Sequence, residues 1–197
     1  EEIEEIVIST TRSSRTIEAI PTRIEAITGE ELGEKAAMNS SNLGMLLRET
    51  TGVQMQQTSL SSGNLNLKIQ GLDGRYTQIL RDGFPLYGGF AGGLSIMQIP
   101  PLDLKQVELI KGSNSTLYGG GAIAGIVNLV SIVPEDEPEL SFMFNQTSAL
   151  GSTGNLFYAQ KYGKIGVSVY SSVYNQVEYN PDNDGFSNIP KARSYTL

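Results

Sequence analysis

Residues 99–130 constrain the fold of this chain more than any other stretch, because two strand-forming runs flank a cluster of glycines. The first run, residues 106–110, follows two prolines and ends at a Lys-Gly pair, as strands bounded by turns do. Residues 113–118 suit a short helix, which the three glycines after them must end. The run 122–133 is mostly apolar, which predicts a strand covered on both faces, and it is too short to cross a bilayer as a helix.

Charge and composition exclude several functional classes. The chain has 197 residues and a net charge of −7, with four glutamates among the first five residues, so nucleic acid is excluded as a partner. It contains no cysteine and no histidine, which removes thiol nucleophiles, the usual general base and the commonest transition-metal ligand. We therefore predict that the protein is not an enzyme, has no catalytic residues and needs no cofactor.

Short elements separated by turn signals precede the central stretch. A capping-box pattern at residues 28–31 predicts the start of a helix, and the leucines of residues 43–47 share one helical face. Gly52 is suited to stop that second helix, and Asp82-Gly83 is a dipeptide that favours a hairpin. The predicted strands of this region are residues 23–27, 53–57, 65–70 and 78–80.

Composition changes after an acidic, proline-bounded linker at residues 134–138. Apolar side chains then alternate with polar ones, most clearly from Ile165 to Tyr179, where the apolar residues occupy odd positions. This period of two predicts strands at residues 139–150, 155–162 and 164–179, in a sheet with one apolar and one polar face. A membrane barrel and a soluble sandwich would both produce this pattern.

Five blocks of the central stretch, in this order and spacing, closely resemble the end of the plug domain of TonB-dependent outer-membrane receptors. The blocks are Ile99-Pro100, Val107-Glu108-Leu109-Ile110-Lys111-Gly112, Ser115-Thr116-Leu117-Tyr118-Gly119, Gly121-Ala122-Ile123-Ala124-Gly125 and Ile126-Val127-Asn128-Leu129.

The resemblance implies an α+β fold, in which a small mixed β-sheet plug with short helices is followed by antiparallel strands of a truncated outer-membrane barrel. We expect a mobile N-terminal segment at residues 1–16, a plug at 17–133, the linker at 134–138 and the first barrel strands at 139–197. The implied function is to gate the active import of a scarce nutrient such as a siderophore, a corrinoid or haem. The implied location is the bacterial outer membrane, with the plug inside the barrel lumen and the N-terminus in the periplasm.

The N-terminal segment carries a stretch that resembles the TonB box of this family. An extended, β-branched segment can add a strand to the sheet edge of a partner, because its main chain supplies the hydrogen bonds. The resemblance therefore implies the energy-transducing protein TonB as a partner. The candidate contact residues are Ile6, Val7, Ile8, Ser9 and Thr10.

Two loops correspond to the plug apices that contact cargo in the family. Neither loop carries lysine or arginine, so a neutral, amphiphilic ligand such as a corrinoid or a sugar suits them better than a strongly anionic chelate. The two loop aromatics could instead pack within their own loop. The candidate cargo residues are Gln56, Gln57, Thr58, Ser59, Tyr87 and Phe90.

The family locks its plug to barrel glutamates through two arginines, and this chain departs from that pattern. Gln70 and Lys111 stand where the family usually has the two arginines, so a lock would be weaker or built from other groups. We take Glu108 and Lys111 as the candidate lock residues.

The loop after residue 179 contains a carboxylate-rich turn, with Asp182 and Asp184 as candidate calcium ligands. The spacing is shorter than in an EF-hand and no glutamate closes the loop, so a plain solvated turn is the alternative.

Three barrel strands alone would leave open edges and an uncovered apolar stripe, so we expect the tail to associate with a second chain. The competing functional interpretation is a soluble, β-rich adhesive or assembly module without a transport role.

Overall fold

The computed structural model describes residues 7–8, 15–16, 24–38, 43–57, 65–86, 102–112, 118–182 and 187–197. The strands are β1 Val7–Ile8, β2 Arg15–Thr16, β3 Ile24–Thr28, β4 Val53–Gln57, β5 Leu65–Ile69, β6 Thr77–Arg81, β7 Phe84–Pro85, β8 Leu104–Lys111, β9 Gly125–Ser131, β10 Glu139–Gln146, β11 Gly151–Tyr162, β12 Ile165–Gln176 and β13 Ala192–Thr196. The helices are α1 Gly29–Met38 and α2 Leu43–Arg48, with 3-10 turns at Gly74–Tyr76 and Gly120–Ala122. Within these ranges, no helix combines the length and the apolar character needed to cross a bilayer.

A mixed five-stranded sheet, in the order β3-β8-β9-β6-β7, forms the centre of the first part of the chain. β6 and β9 run parallel, and the other neighbouring strands run antiparallel. β8 contains the predicted strand 106–110, and all its residues except Lys105 are buried. The alternate side chains of β8 point to opposite faces, so both faces of the sheet are covered there.

Apolar side chains pack on both faces of this sheet. The larger cluster lies between the sheet, the helices and the β4–β5 hairpin, and it includes Leu32, Leu46, Leu47, Val107 and Leu129. The smaller cluster is formed by Leu80, Ile110, Ala122 and Ile126, with Ile24 and Tyr118 packed against it. Burial of these side chains is the main favourable contribution to the stability of this domain.

The turn chemistry predicted from the sequence is confirmed. Asp82 and Gly83 have φ angles of 52° and 79°, as expected for a two-residue hairpin turn between β6 and β7. Gly52 has a φ of 77°, so it ends the α2 region in the left-handed conformation that glycine adopts without strain.

The strand predicted at residues 122–133 is shorter than expected, because Gly120–Ala122 forms a 3-10 turn and β9 begins only at Gly125. Backbone bonds from Ala124 N to Tyr76 O and from Gly112 N to Ala124 O hold the connecting residues outside the ladder. The helix predicted at 113–118 falls almost entirely outside the described residues.

The tail forms a four-stranded antiparallel sheet in the order β10-β11-β12-β13. Two predicted boundaries were wrong, since β10 ends at residue 146 and β11 begins at residue 151. Thr147 and Gly151 bond to each other across the turn, and Gly151 pairs with Gln176 of β12. Pairing with β12 therefore overrides the loop-like composition of residues 151–154. The sequence did not predict β13.

The tail sheet contacts the linker that joins it to the first sheet. Lys161 N donates to Glu135 O at 2.8 Å, and Lys161 Nζ lies 3.9 Å from Asp136 Oδ1. A Cβ atom at Gly166 would come within 3.2 Å of the Pro134 ring, so the linker lies directly against β12. The domain boundary at the linker, residues 134–138, stays a prediction, although β9 ends and β10 begins on either side of it.

Candidate functional site

The predicted partner-binding stretch is extended where the structure describes it. Val7 and Ile8 form β1, which pairs antiparallel with β2 in a two-stranded sheet. Each strand of a two-stranded sheet has one edge that its companion does not cover, which leaves main-chain groups for a further strand. The other three residues of the stretch, Ile6, Ser9 and Thr10, lie outside the described residues.

Only part of the predicted cargo site is described. Gln56 lies at the exposed end of β4 opposite Asn66, and Gln57 pairs with Leu65 at the end of the same hairpin. The other four candidates, Thr58, Ser59, Tyr87 and Phe90, lie outside the described residues.

A polar group beside this hairpin was missed by the sequence reasoning. Asn66 Nδ2 donates to Asp73 Oδ2 at 3.3 Å, and the guanidinium of Arg75 lies 5.0 Å from the centre of the Tyr76 ring. The bond from Arg75 N to the Asp73 carboxylate lowers the pKa of that carboxyl, and the bond from Asn66 adds to the effect. Asp73 therefore keeps its negative charge next to Asn66, which pairs with the predicted cargo residue Gln56.

Glu108 is fully buried and lies in a hydrogen-bond chain that crosses the central sheet. Its two carboxylate oxygens accept from Gln106 Nε2 at 2.7 Å and from Asn128 Nδ2 at 3.0 Å. Asn128 Oδ1 accepts in turn from Gly83 N at 3.0 Å, which ties the β6–β7 turn to the sheet. Gln106 and Asn128 thus both donate to Glu108, and the bond from Gly83 N fixes the orientation of the Asn128 amide.

Lys111, the second candidate lock residue, has both of its identified partners inside the same domain. Its side chain is only 2% exposed, and Nζ donates to Glu25 Oε1 on β3 and to the carbonyl oxygen of Thr51. A lock between Glu108, Lys111 and further strands stays a prediction.

A second polar cluster that the sequence reasoning did not find lies where β6 and β9 end. Arg81 bonds to Asp103 Oδ2 and to Ser131 Oγ, and Asp82 accepts from both the backbone and the hydroxyl of Ser131. Asp103 Oδ1 is buried without a hydrogen-bond partner among the described residues. The sequence signal for this cluster was Arg-Asp-Gly, which predicted the turn but not the contacts of its arginine.

Burial raises the pKa of Asp103, and the positive charge of Arg81 opposes that rise. The carboxyl proton of Asp103 is thus bound more tightly in the folded state than in the unfolded chain. The stability that this provides is fully present below the unfolded pKa of about 3.9 and is lost as the pH rises through the folded pKa.

The tail sheet has two chemically different faces. Polar or small residues such as Thr153, Asn155 and Gln176 are buried on the face that also carries Phe157. The opposite face is apolar and exposed, and Phe142, Ile165 and Val169 on it are 71%, 68% and 49% exposed. The other large apolar residues on that face that remain exposed are Leu140, Phe144, Leu156, Tyr162, Val167, Val173 and Tyr195. An exposed apolar surface of this extent marks a contact with lipid or protein.

The calcium prediction has no further support in the described residues. Asp182 is exposed, Asp184 lies outside the described residues, and no group of three potential ligands among the described side chains is placed to hold a metal ion. A cavity of about 610 Å³ lies elsewhere, between α1, the start of β8 and the linker, and none of the predicted cargo residues lines it.

Residues 16–126 match the family model of the TonB-dependent receptor plug domain, which covers more than half of the chain. The chain belongs to the TonB-dependent receptor plug family. The five sequence blocks that suggested this family therefore identified it correctly.

Curated relatives of this chain are vitamin B12 transporters. The chain is 24% identical to the vitamin B12 transporter BtuB of Photobacterium profundum, over 93% of this chain and 31% of that protein. It is 27% identical to the vitamin B12 transporter BtuB of Vibrio cholerae, over 65% of this chain and 20% of that protein. The chain thus spans at most about a third of the length of these transporters.

Solved structures that resemble the plug and its tail confirm the fold class. The ferric yersiniabactin uptake receptor FyuA of Yersinia pestis matches with a TM-score of 0.66 and 17% identity, over 88% of this chain and 27% of that one. The ferric-catecholate import receptor Fiu of E. coli matches with a TM-score of 0.63 and 21% identity, over 83% and 23%. Matches that cover more than 80% of this chain must extend beyond the plug into the tail.

Proposed function

We propose that this chain is the gate of an outer-membrane receptor that imports a scarce nutrient with energy delivered through TonB. The plug would close the lumen, and the tail sheet would form the first part of the surrounding wall. The wall belongs to the outer membrane, with the N-terminal segment reaching the periplasm. The plug family and the transport receptors among its relatives support this proposal.

The observation that carries the proposal is the arrangement of the tail sheet after the plug. Its polar face contains buried Asn155 and Gln176, whereas its other face exposes a continuous set of apolar side chains. A wall strand of an outer-membrane barrel needs this arrangement, because lipid meets one face and the lumen or the plug meets the other. A soluble adhesive module would have to cover the apolar face with a further protein surface.

The N-terminal segment supplies the connection to TonB in this proposal. The extended backbone at Val7 and Ile8 is suited to strand addition, in which the main chain of the segment pairs with the sheet edge of the partner. Ile6, Ser9 and Thr10 would extend the contact on both sides.

For the cargo we propose a corrinoid first, with a ferric siderophore or haem as alternatives. The predicted apical loops, residues 56–64 and 86–94, contain no lysine or arginine to grip an anionic chelate. Amide groups such as those of Gln56 and Gln57 suit the peripheral amides of a corrinoid, and Tyr87 and Phe90 offer aromatic contact area. The vitamin B12 transporters among the relatives agree with this choice.

Uptake by cells that express the full-length protein in place of their own receptors tests the proposal. Cyanocobalamin, a ferric siderophore and haem are supplied separately, and surface binding is measured apart from accumulation. Val7→Pro should reduce accumulation and leave surface binding unchanged, because proline removes a main-chain donor from the added strand.

Ser13→Pro is the matched control, since it introduces proline in the same segment outside the proposed contact. Equal nutrient accumulation by cells with the Val7→Pro variant and cells with this control would show that β1 does not bind TonB. Failure of all three ligands to bind, with the protein recovered outside the membrane fraction, would favour the adhesive module instead.

Calcium at Asp182 and Asp184, and self-association of the chain through its tail sheet, remain separate proposals. Calcium titration by calorimetry and light scattering of the 197-residue chain measure them directly.

A further inference from the structure

Lys111 joins three separate parts of the plug. Its ammonium group contacts the Glu25 carboxylate on β3 and the backbone carbonyl of Thr51, which lies in the turn between α2 and β4. Lys111 itself ends β8, the strand that pairs with β3. We call the contact between Glu25, Lys111 and Thr51 the clasp.

The register of the sheet explains why this contact forms. Glu25 pairs directly with Leu109, and Lys111 is two residues further along β8, so both charged side chains lie on the same face. Diagonal neighbours of this kind are within reach of long side chains. The lysine side chain is 2% exposed and the glutamate side chain 33% exposed, so the contact is buried on one side and reached by water on the other.

β3 occupies a vulnerable position in the sheet. Among the described strands it lies at the edge of the order β3-β8-β9-β6-β7, where the ladder with β8 holds its main chain. It is also the first strand of this sheet after the N-terminal segment, and the chain enters it at Ile24.

The clasp lies at the end of β3 where the chain enters. Ile24 pairs with Ile110, next to Lys111, whereas the other end of the strand, Thr28, pairs with Gln106. A pull on the N-terminal segment therefore reaches the clasp before it reaches most of the ladder.

We infer that the clasp fastens β3 to the plug core, and that Lys111 is the positioning residue whose contacts a pull on the N-terminal segment must break before β3 leaves the sheet. This role differs from a lock between Lys111 and the surrounding wall, because both partners belong to the plug. The fastening itself follows from the contacts, while the part of the inference that concerns pulling rests on the proposed function.

Hydrogen exchange of the full-length protein, measured by mass spectrometry, tests the fastening. Lys111→Met keeps the length of the side chain and removes its charge, and Glu25→Gln removes the partner charge with minimal change of shape. We expect each variant to accelerate exchange of the β3 amides about tenfold, below the effect of a fully buried pair because water reaches Glu25. Peptides from β9 should exchange as in the wild type.

Lys105→Met is the matched control, since Lys105 is an exposed lysine on the same strand. It should change exchange of β3 by less than about twofold. In the double variant of Glu25 and Lys111, the β3 amides should exchange no faster than in the Lys111→Met variant, because both changes remove the contact between these two residues.

Acceleration by Lys111→Met without acceleration by Glu25→Gln would overturn the inference, because Glu25 is the clasp residue that lies on β3, and the lysine would then not hold β3 through it. Exchange unchanged in both variants would overturn it as well. If the Lys111→Met variant does not fold, Glu25→Gln alone decides.

Single-molecule pulling from the N-terminus tests the second part of the inference, that a pull must break the clasp before β3 leaves the sheet. The first rupture should occur at lower force in the Glu25→Gln variant than in the wild type or in the Lys105→Met variant. Equal first-rupture forces, together with accelerated exchange, would overturn the role under load. Loss of nutrient uptake is a separate result, so failure of the proposed function would not be mistaken for failure of the clasp.

Discussion

The backbone N–H of Gly83 sets the polarity of the hydrogen-bond chain through Asn128 to Glu108, which makes Glu108→Gln a test of the role of that chain. Gln106 Nε2 and Asn128 Nδ2 both donate to the carboxylate, and Asn128 Oδ1 is already used by Gly83 N. A glutamine at position 108 has one oxygen and one amide group, so it can accept from only one of the two donors. The other donor would face a second N–H group in a fully buried site.

The expected cost follows from these contacts. Leaving one buried donor unsatisfied costs about 1–3 kcal/mol, and the remaining bond loses its charge assistance. Removing the charge also relieves the desolvation of a buried carboxylate, which acts in the opposite direction. We therefore expect a net loss of about 2 kcal/mol in the free energy of unfolding.

Urea unfolding followed by near-UV circular dichroism measures this loss, with tyrosine as the main signal because the chain has no tryptophan. The midpoint should fall with little change in slope. Glu139→Gln, an exposed glutamate on β10, is the control and should change stability by less than about 0.5 kcal/mol.

A second substitution can restore the chain of bonds. In the double variant Glu108→Gln with Asn128→Asp, the new aspartate accepts from Gly83 N and from the glutamine, while the glutamine oxygen accepts from Gln106. We expect the double variant to recover at least half of the lost stability. A double variant less stable than both single variants, or a Glu108→Gln variant as stable as the wild type, would refute the argument from polarity.

Three further predictions concern other parts of the structure. Gly125→Ala should destabilise the plug by about 1–3 kcal/mol in urea unfolding, because the added Cβ would overlap the backbone carbonyl oxygen of Ile110, which cannot move aside freely. Arg81→Met should lower the urea midpoint at pH 7 and recover part of it toward pH 4, because the substitution removes the charge that opposes the raised pKa of Asp103, and protonation then relieves the unpaired carboxylate. Val169→Arg should destabilise the full-length protein in lipid vesicles by about 2–4 kcal/mol if this residue lies near the bilayer midplane, as measured by unfolding in urea.

Each of these three substitutions has a control variant in the same region. Gly120→Ala adds a Cβ where no atom of the described residues lies within 4 Å, so it should be nearly neutral. Adding Asp103→Asn to Arg81→Met should abolish the recovery of the urea midpoint at low pH. An unchanged recovery would show that a group other than Asp103 takes up the proton. Ser168→Arg places the same charge on the opposite face of β12, and an equal loss from both arginine variants would contradict a lipid-facing surface for Val169.

The sequence by itself determined the local elements and the family. Turn residues with special backbone requirements, such as Gly52 and Asp82-Gly83, fixed where elements end, because few residues adopt those conformations. The period-two pattern of β12 gave its two faces correctly, since alternation follows directly from strand geometry. The five plug blocks were sufficient to identify the family.

Only the tertiary structure decided which side chains meet. Arg81 and Asp103 are 22 residues apart, and Lys111 and Glu25 are 86 apart, so their contacts depend on sheet order and register rather than on local sequence. The start of β11 was also decided by its pairing with β12, which outweighed the loop-like composition of its first residues. Local propensity acts over a few residues, whereas charge pairing in this plug depends on strands that the chain brings together from distant positions.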